Sequence, residues 1–109
     1  MIEDNLASMT EIAQANHIRV VLCSVLPVFD YPWKRGLEPA QRIVALNNWI
    51  KGYAARVGAT YVDFHSAMAD ERQGMRADLA RDGVHPTESG YKIMAPLVER
   101  GIAEALRSP

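Results

Sequence analysis

The chain has 109 residues, of which 49% are hydrophobic and 23% are charged, and these are values of a single small globular domain. Its formal net charge of -1 excludes the strongly basic surface that nucleic-acid backbones require. No apolar run approaches the roughly 20 residues of a membrane span, and the acidic start MIEDNLASM lacks the pattern of a signal peptide, so we expect a soluble chain.

The first third of the sequence predicts a helix, a strand and a long loop. Apolar residues recur at helical spacing from Ile2 until His17. Residues 18–25, IRVVLCSV, form an almost continuous apolar and β-branched run, which is typical of a strand covered on both faces in a parallel sheet. Residues 28–38, VFDYPWKRGLE, contain aromatics, a proline and a glycine without regular period, so we predict a loop of the kind that often borders a site.

Residues 39–64 predict a second helix and a second strand. Pro39 suits a first helical turn, an apolar stripe continues to Val57, and Gly58 supplies a stop. The short apolar run TYVDF, residues 60–64, then predicts a strand. Helix and strand therefore alternate through the middle of the chain.

The last part of the chain predicts a loop and a final helix. Residues 65–83 read as a loop with one short helical piece, and Thr87 as the cap of a last helix that Pro96 should kink. The order helix, strand, helix, strand, helix is that of an α/β fold with parallel strands. We predict one domain over residues 1–109, although two strands make a very small sheet, since sheets usually have about four to six.

One short stretch, DGVHPTESGYKIM at residues 82–94, carries a catalytic pattern. An imidazole that acts as a base needs an acid to hold its tautomer and to stabilise the imidazolium that forms. A tight turn through Gly83 would let the carboxylate of Asp82 reach back to the ring of His85. Taken by itself, the same spacing also suits a solvated turn or a helix cap.

Several stretches resemble the SGNH, or GDSL-type, hydrolases. DGVHPTESGYKIMAPLV is similar to their last motif block, Asp-x-x-His-Pro followed by the closing helix. DNLASMTEIAQANHIRVVLCSVLPV, YPWKRGLEPAQRIVALNNWIKGYA and TYVDFHSAM resemble the elements that precede this block, in the same order. The resemblance covers nearly the whole chain and implies the C-terminal part of a flavodoxin-like three-layer sandwich, with about two parallel strands and three main helices.

The resemblance also implies roles for single residues. Asp82 would be the acid and His85 the general base of a serine esterase or acyl hydrolase. The family's Gly-Asp-Ser, oxyanion-hole Gly and Gly-x-Asn-Asp blocks do not occur in this sequence, which leaves no nucleophile at the family position. The isolated chain is therefore expected to be inactive or weakly active, unless Ser24, Ser66 or Ser89 substitutes as the nucleophile.

Other candidate residues lie outside the acid–histidine block. Tyr31 and Trp33, in the predicted loop, would line an acyl or alcohol pocket or, equally well, only pack the loop onto the domain. His17 and His65 form no metal-ligand spacing with His85, so we predict neither a metal nor a cofactor. Polar turn positions explain both histidines adequately.

The resemblance also implies that a neighbouring part of the family's sheet is missing beside residues 18–25, so this strand would present an open apolar edge, which is a template for another chain. We therefore expect self-association through this edge or its flanking helices, most simply as a symmetric homodimer. Three functions stay open: a hydrolase of a small ester that another chain completes with a serine, a catalytically silent half-domain that oligomerises, and a complementing subunit of a split hydrolase.

Overall fold

Helices and strands alternate along the chain in the computed structural model, which describes residues 1–107. In chain order they are α1 (Ile2–Ala15), β1 (Val21–Cys23), α2 (Ala40–Val57), β2 (Thr60–Val62), α3 (Phe64–Met68) and α4 (Glu88–Arg107). The predicted order is confirmed, including the short helical piece, which is α3. No helix within these residues is long and apolar enough to cross a membrane.

The two strands form a parallel pair. Val21 lies opposite Thr60, and Cys23 lies opposite Val62. The backbone N–H of Ser24 extends the ladder by donating to the carbonyl of Val62 at 2.9 Å. Because parallel neighbours need a crossover connection, α2 runs back along the sheet between β1 and β2, as the predicted α/β class requires.

Both strands are shorter than the sequence predicts. The run at residues 18–25 is regular strand only over Val21–Cys23, and both Ile18 and Cys23 are exposed rather than covered on both faces. Regular pairing ends early because β2 offers β1 only three partners, on one edge. The second strand ends at Val62 because the side chain of Asp63 caps α3.

Apolar side chains collect in two clusters, one on each face of the sheet. The first lies under α1 and α2 and is built from Leu22, Ile50, Tyr53 and Ala54. The second lies under α3 and α4 and contains Val62, Phe64, Met68, Met75, Leu79 and Ala80. Since successive strand residues face opposite sides, helices cover both faces and the chain has three layers.

Close packing of α4 fixes the segment that precedes it. A Cβ atom at Gly90 would lie 2.9 Å from the carbonyl oxygen of Leu79 and 2.8 Å from the Cβ of Pro86, so the first turn of α4 presses against this segment. Thr87, predicted as the cap, donates its backbone N–H to the Leu79 carbonyl at 2.8 Å and its hydroxyl to the same oxygen at 3.2 Å. Residues 80–86 are thereby held as a closed loop at the start of α4. The helix then continues through Pro96.

Candidate active site

The loop before α4 contains a tight turn that is built around the carboxylate of Asp82. Its Oδ1 atom accepts the backbone N–H groups of Val84 at 2.9 Å and His85 at 2.8 Å. Gly83, between them, has a φ of 78°, a left-handed conformation that glycine adopts without a steric penalty. The turn therefore follows from the sequence Asp-Gly-x-His itself.

The other oxygen of the same carboxylate contacts the imidazole. Nδ1 of His85 lies 2.7 Å from Oδ2 of Asp82. The His85 ring bond, followed by the backbone N–H groups of His85 and Val84, holds the pKa of the Asp82 carboxyl well below its usual range. Because an ionised carboxylate only accepts hydrogen bonds, this contact favours the tautomer with the proton on Nδ1, which leaves Nε2 as the acceptor nitrogen. Within residues 1–107, Nε2 makes no hydrogen bond, and 73% of the His85 side chain is exposed.

The rings of Tyr31 and Trp33, called the aromatic wall below, lie beside this imidazole. The ring of Trp33 lies 5.9 Å from the His85 ring, centre to centre, and Tyr31 stacks on Trp33 at 5.4 Å. Both residues come from the loop between β1 and α2, where the sequence analysis placed them. The structure thus brings together all four predicted site residues, Asp82, His85, Tyr31 and Trp33.

The wall borders an apolar cleft of about 470 Å³ at the carboxyl end of β1. Tyr31 and Val84, the neighbour of His85, line it together with side chains from the end of β1 and from α2, among them Val25, Leu26, Val28 and Leu46. The buried amide of Asn47 fixes the end of β1, since it accepts the N–H of Val25 at 2.7 Å and donates to its carbonyl at 3.0 Å. Asn47 is not among the residues predicted from the sequence, and its side chain reaches the end of β1 from α2.

The three alternative serines are not brought to the imidazole. Ser24 is buried, and its hydroxyl accepts the backbone N–H of His65 at 3.0 Å. The hydroxyl of Ser66 donates to Asp63 at 2.6 Å. Ser89 is exposed in the first turn of α4. Among the described residues, no serine hydroxyl is hydrogen-bonded to the His85 ring.

Of the two remaining histidines, His17 lies at a polar turn position as the sequence indicates, and His65 does not. His65 is a buried residue of α3 rather than a polar turn residue, burial lowers its pKa, and its Nε2 atom has no hydrogen-bond partner within residues 1–107. His17 is exposed in the turn after α1 with a φ of 62°. Over the described part of the chain, no group of three or more histidine, cysteine or acidic side chains is arranged to hold a metal ion.

Comparison with known proteins decides the family. The sequence profile of the GDSL-like Lipase/Acylhydrolase family matches residues 1–93. The chain belongs to this family. The turn with Asp82 and His85 lies inside the matched region, and the GDSL-like assignment agrees with the resemblance of the motif blocks. No curated protein sequence matches the chain.

Solved structures show how much of a GDSL-like fold the chain contains. A GDSL-like lipase from Bacteroides thetaiotaomicron is 40% identical, with a TM-score of 0.89 over 94% of this chain. A proposed acylhydrolase from Bacteroides fragilis is 36% identical, with a TM-score of 0.91 over 96% of this chain. The esterase domain of a zebrafish retrotransposon protein, at 20% identity and a TM-score of 0.76, shares the fold alone. The chain spans about half, 51%, of each bacterial structure, and its two parallel strands and helices match the C-terminal portion of the GDSL fold.

Proposed function

We propose that this GDSL-like chain supplies the acid and the general base of an ester hydrolase site, and that a serine from another polypeptide segment completes it. Asp82 is the acid that orients the imidazole, and His85 is the base. The observation that carries the proposal is the 2.7 Å contact between Nδ1 of His85 and Oδ2 of Asp82, in a turn that leaves most of the imidazole exposed.

In the proposed reaction, Nε2 of His85 takes the proton of the serine hydroxyl as its oxygen attacks the ester carbonyl carbon. The imidazolium that forms is stabilised by the Asp82 carboxylate, which stays ionised. His85 then returns the proton to the departing alkoxide, and an acyl-serine remains. Water then attacks the acyl carbon while His85 takes its proton, and His85 returns that proton to the serine oxygen as the acyl–oxygen bond breaks and the carboxylic acid leaves.

The surroundings of the pair favour a small ester with an apolar part. The stacked rings of Tyr31 and Trp33 provide one side of a binding surface next to His85. The apolar cleft that begins at Tyr31 and Val84 provides room for an acyl or alcohol group. The proposed substrate therefore places its carbonyl at His85 and its apolar part against the wall and the cleft.

The activity of the chain by itself is expected to be small. Loss of a triad nucleophile costs about a million-fold in rate, and loss of one oxyanion donor costs about 100- to 1000-fold. Without these groups, His85 performs only general-base hydrolysis of activated esters.

A second candidate function, self-association without catalysis, is favoured by the surface around β1. In the described part of the chain β1 pairs on one edge only, and large apolar residues of α1 and of the segment before β1 are exposed: Met9 by 66%, Ile12 by 65% and Ile18 by 58%. An unpaired strand edge with apolar neighbours favours the addition of another chain. A second copy on this edge would give a symmetric homodimer without catalysis, whereas a serine-bearing half on the same edge would give the split form of the proposed hydrolase.

The proposal is tested by hydrolysis of p-nitrophenyl acetate by the purified chain, beside His85→Ala and His17→Ala. His17 is a second exposed histidine and controls for hydrolysis by any accessible imidazole. We expect a low rate that His85→Ala abolishes and His17→Ala preserves. Equal rates in all three proteins would contradict the catalytic role of His85.

Light scattering on the same samples tests the second candidate. A folded dimer with only the background rate would support the self-associating half-domain, and a folded monomer at micromolar concentration would refute it. The split-hydrolase version further predicts that a polypeptide with the family's Gly-Asp-Ser block raises the rate when it is added, and only with His85 present.

A further inference from the structure

The loop that carries Tyr31 and Trp33 folds around the carboxylate of Asp30. Oδ1 of Asp30 accepts the backbone N–H groups of Tyr31 and Glu38, each at 3.0 Å. Oδ2 accepts the N–H of Gly36 at 2.9 Å. One side chain therefore ties the start of the segment 30–38 to its last three residues, and this nine-residue segment contains no helix or regular strand.

Two of the N–H groups that Asp30 accepts belong to residues with positive φ angles. Gly36 has a φ of 96° and Glu38 a φ of 41°, and the left-handed region is unfavourable for a residue with a side chain. Glu38 keeps this conformation while its N–H is held by Asp30. The N–H groups of Gly36 and then Glu38 also lower the pKa of the Asp30 carboxyl, so the acceptor is ionised at neutral pH.

Of the two rings of the wall, Tyr31 is half-buried at the apolar cleft, and Trp33 has no comparable support from burial. Trp33 is 63% exposed, and its ring contacts are with Tyr31 and His85. A ring that is mostly in solvent keeps its place only if its backbone does. The backbone on either side of Trp33 is the segment that Asp30 ties together.

We propose that Asp30 is a positioning residue of the site: its carboxylate holds the Tyr31–Trp33 wall against His85. The inference rests on the proposed function, because it assigns Asp30 to the wall and the base of that site. Asp30 acts only through the loop and touches neither the imidazole nor the reacting atoms.

The test uses the NMR shifts of the His85 ring protons, which sense the ring current of Trp33. The shifts are followed over pH so that the same protonation state is compared in each protein. The difference between wild-type and Trp33→Ala measures the contact. We expect Asp30→Ala to lose most of this difference and Asp30→Asn, which keeps one acceptor oxygen, to lose part of it.

Asp70→Ala is the matched control. Asp70 also accepts two backbone N–H groups of its own loop, those of Arg72 at 2.9 Å and Gly74 at 3.0 Å, and it carries no part of the wall. Asp70→Ala should leave the His85 shifts unchanged. Wild-type shifts in Asp30→Ala would overturn the proposal, and so would an equal change in Asp70→Ala. If Asp30→Ala does not fold, Asp30→Asn decides on the same criterion.

The experiment separates this proposal from the proposed hydrolase function. One result would refute the function and leave Asp30 as the support of the wall. In it, His85→Ala does not lower ester hydrolysis, while Asp30→Ala loses the Trp33-dependent difference in the His85 ring-proton shifts. His85-dependent hydrolysis with unchanged KM and unchanged ring shifts in Asp30→Ala would refute the role of Asp30 alone. If both proposals hold, Asp30→Ala should raise KM and change kcat little, because the wall binds substrate and does not transfer protons.

Discussion

Two turns of this chain, at residues 63–66 and 82–85, have the same hydrogen-bonding pattern but different roles. In the turn at residues 63–66, Oδ1 of Asp63 accepts the backbone N–H of Ser66 at 3.0 Å and Oδ2 accepts its hydroxyl at 2.6 Å. In the turn at residues 82–85, Oδ1 of Asp82 accepts the backbone N–H of His85 at 2.8 Å and Oδ2 contacts its ring at 2.7 Å. The first caps α3 beside the buried core, and the second presents an imidazole to solvent and to Trp33.

The difference teaches that an aspartate three residues ahead of a polar side chain is first of all a backbone device. It satisfies an N–H at the start of a helix or turn in both places. Whether the turn can act in catalysis depends on the residue three positions after the aspartate, Ser66 or His85. An imidazole can take and return a proton near neutral pH, and a serine hydroxyl held by a carboxylate cannot. Exposure and the neighbouring wall then separate the two sites further.

The largest expected effect comes from removing the imidazole. In a site completed by a serine-bearing segment, His85→Ala should lower kcat/KM by up to about a million-fold, because base and nucleophile act as a unit. Ser66→Ala, at the equivalent position of the other turn, should leave kcat/KM unchanged. Initial rates with p-nitrophenyl acetate measure both, and equal losses would erase the distinction between the turns.

The next effect is on stability. Asp63→Ala removes the cap of α3 and should lower the free energy of unfolding by about 1 kcal/mol, measured by urea denaturation. Asp82→Ala should lower it less, because the backbone bond between Thr87 and Leu79 still closes that loop. A larger loss for Asp82→Ala would mean that the catalytic turn, and not the cap, stabilises the fold.

A third prediction concerns the titration of Asp82. Its folded pKa lies below the ordinary carboxyl pKa of about 4, so the pair contributes stability above that value and loses it as pH falls through the folded pKa. His85→Ala removes the largest cause and should raise the Asp82 pKa, though not to its usual value, because the turn's N–H groups remain. Carboxyl carbon NMR over pH measures this, and an unchanged Asp82 pKa would show that the ring contact contributes nothing.

The smallest expected effect is that of making the two turns alike. Ser66→His would create a second aspartate–histidine pair with the same spacing, but without the wall of Tyr31 and Trp33 beside it. Ester hydrolysis should stay at the wild-type rate, with the protein folded by circular dichroism. A gain in rate comparable with the contribution of His85 would show that the spacing suffices and that the surroundings add nothing.

The alternation of helices and strands was predictable because each element has a local pattern, such as the stripe of α2 and its stop at Gly58, which has a φ of 75°. Strand lengths were not, because they depend on how many partners a strand finds. The run at residues 18–25 has the composition of a strand inside a larger sheet, yet only Val21–Cys23 pairs regularly with β2.

The candidate site also has features that could be predicted from the sequence and features that could not. Asp82 and His85 were predictable as a pair because they are three positions apart and Gly83 permits the turn. The contact of Trp33 with His85 was not, since it joins distant loops. Asp30 had a local signal, an aspartate ahead of a proline and a glycine in a turn-rich segment, and that signal identifies a loop support without naming what it supports. The burial of His65 had no signal in the sequence.

Nitrogen NMR of the His85 ring tests most directly whether Asp82 holds the base in its working tautomer. The measurement does not require a nucleophile to be present. Neutral His85 should carry its proton on Nδ1, with Nε2 unprotonated, and Asp82→Ala should remove that preference. A wild-type ring protonated on Nε2 when neutral, or a tautomer unchanged in Asp82→Ala, would contradict the assignment of this pair as acid and base.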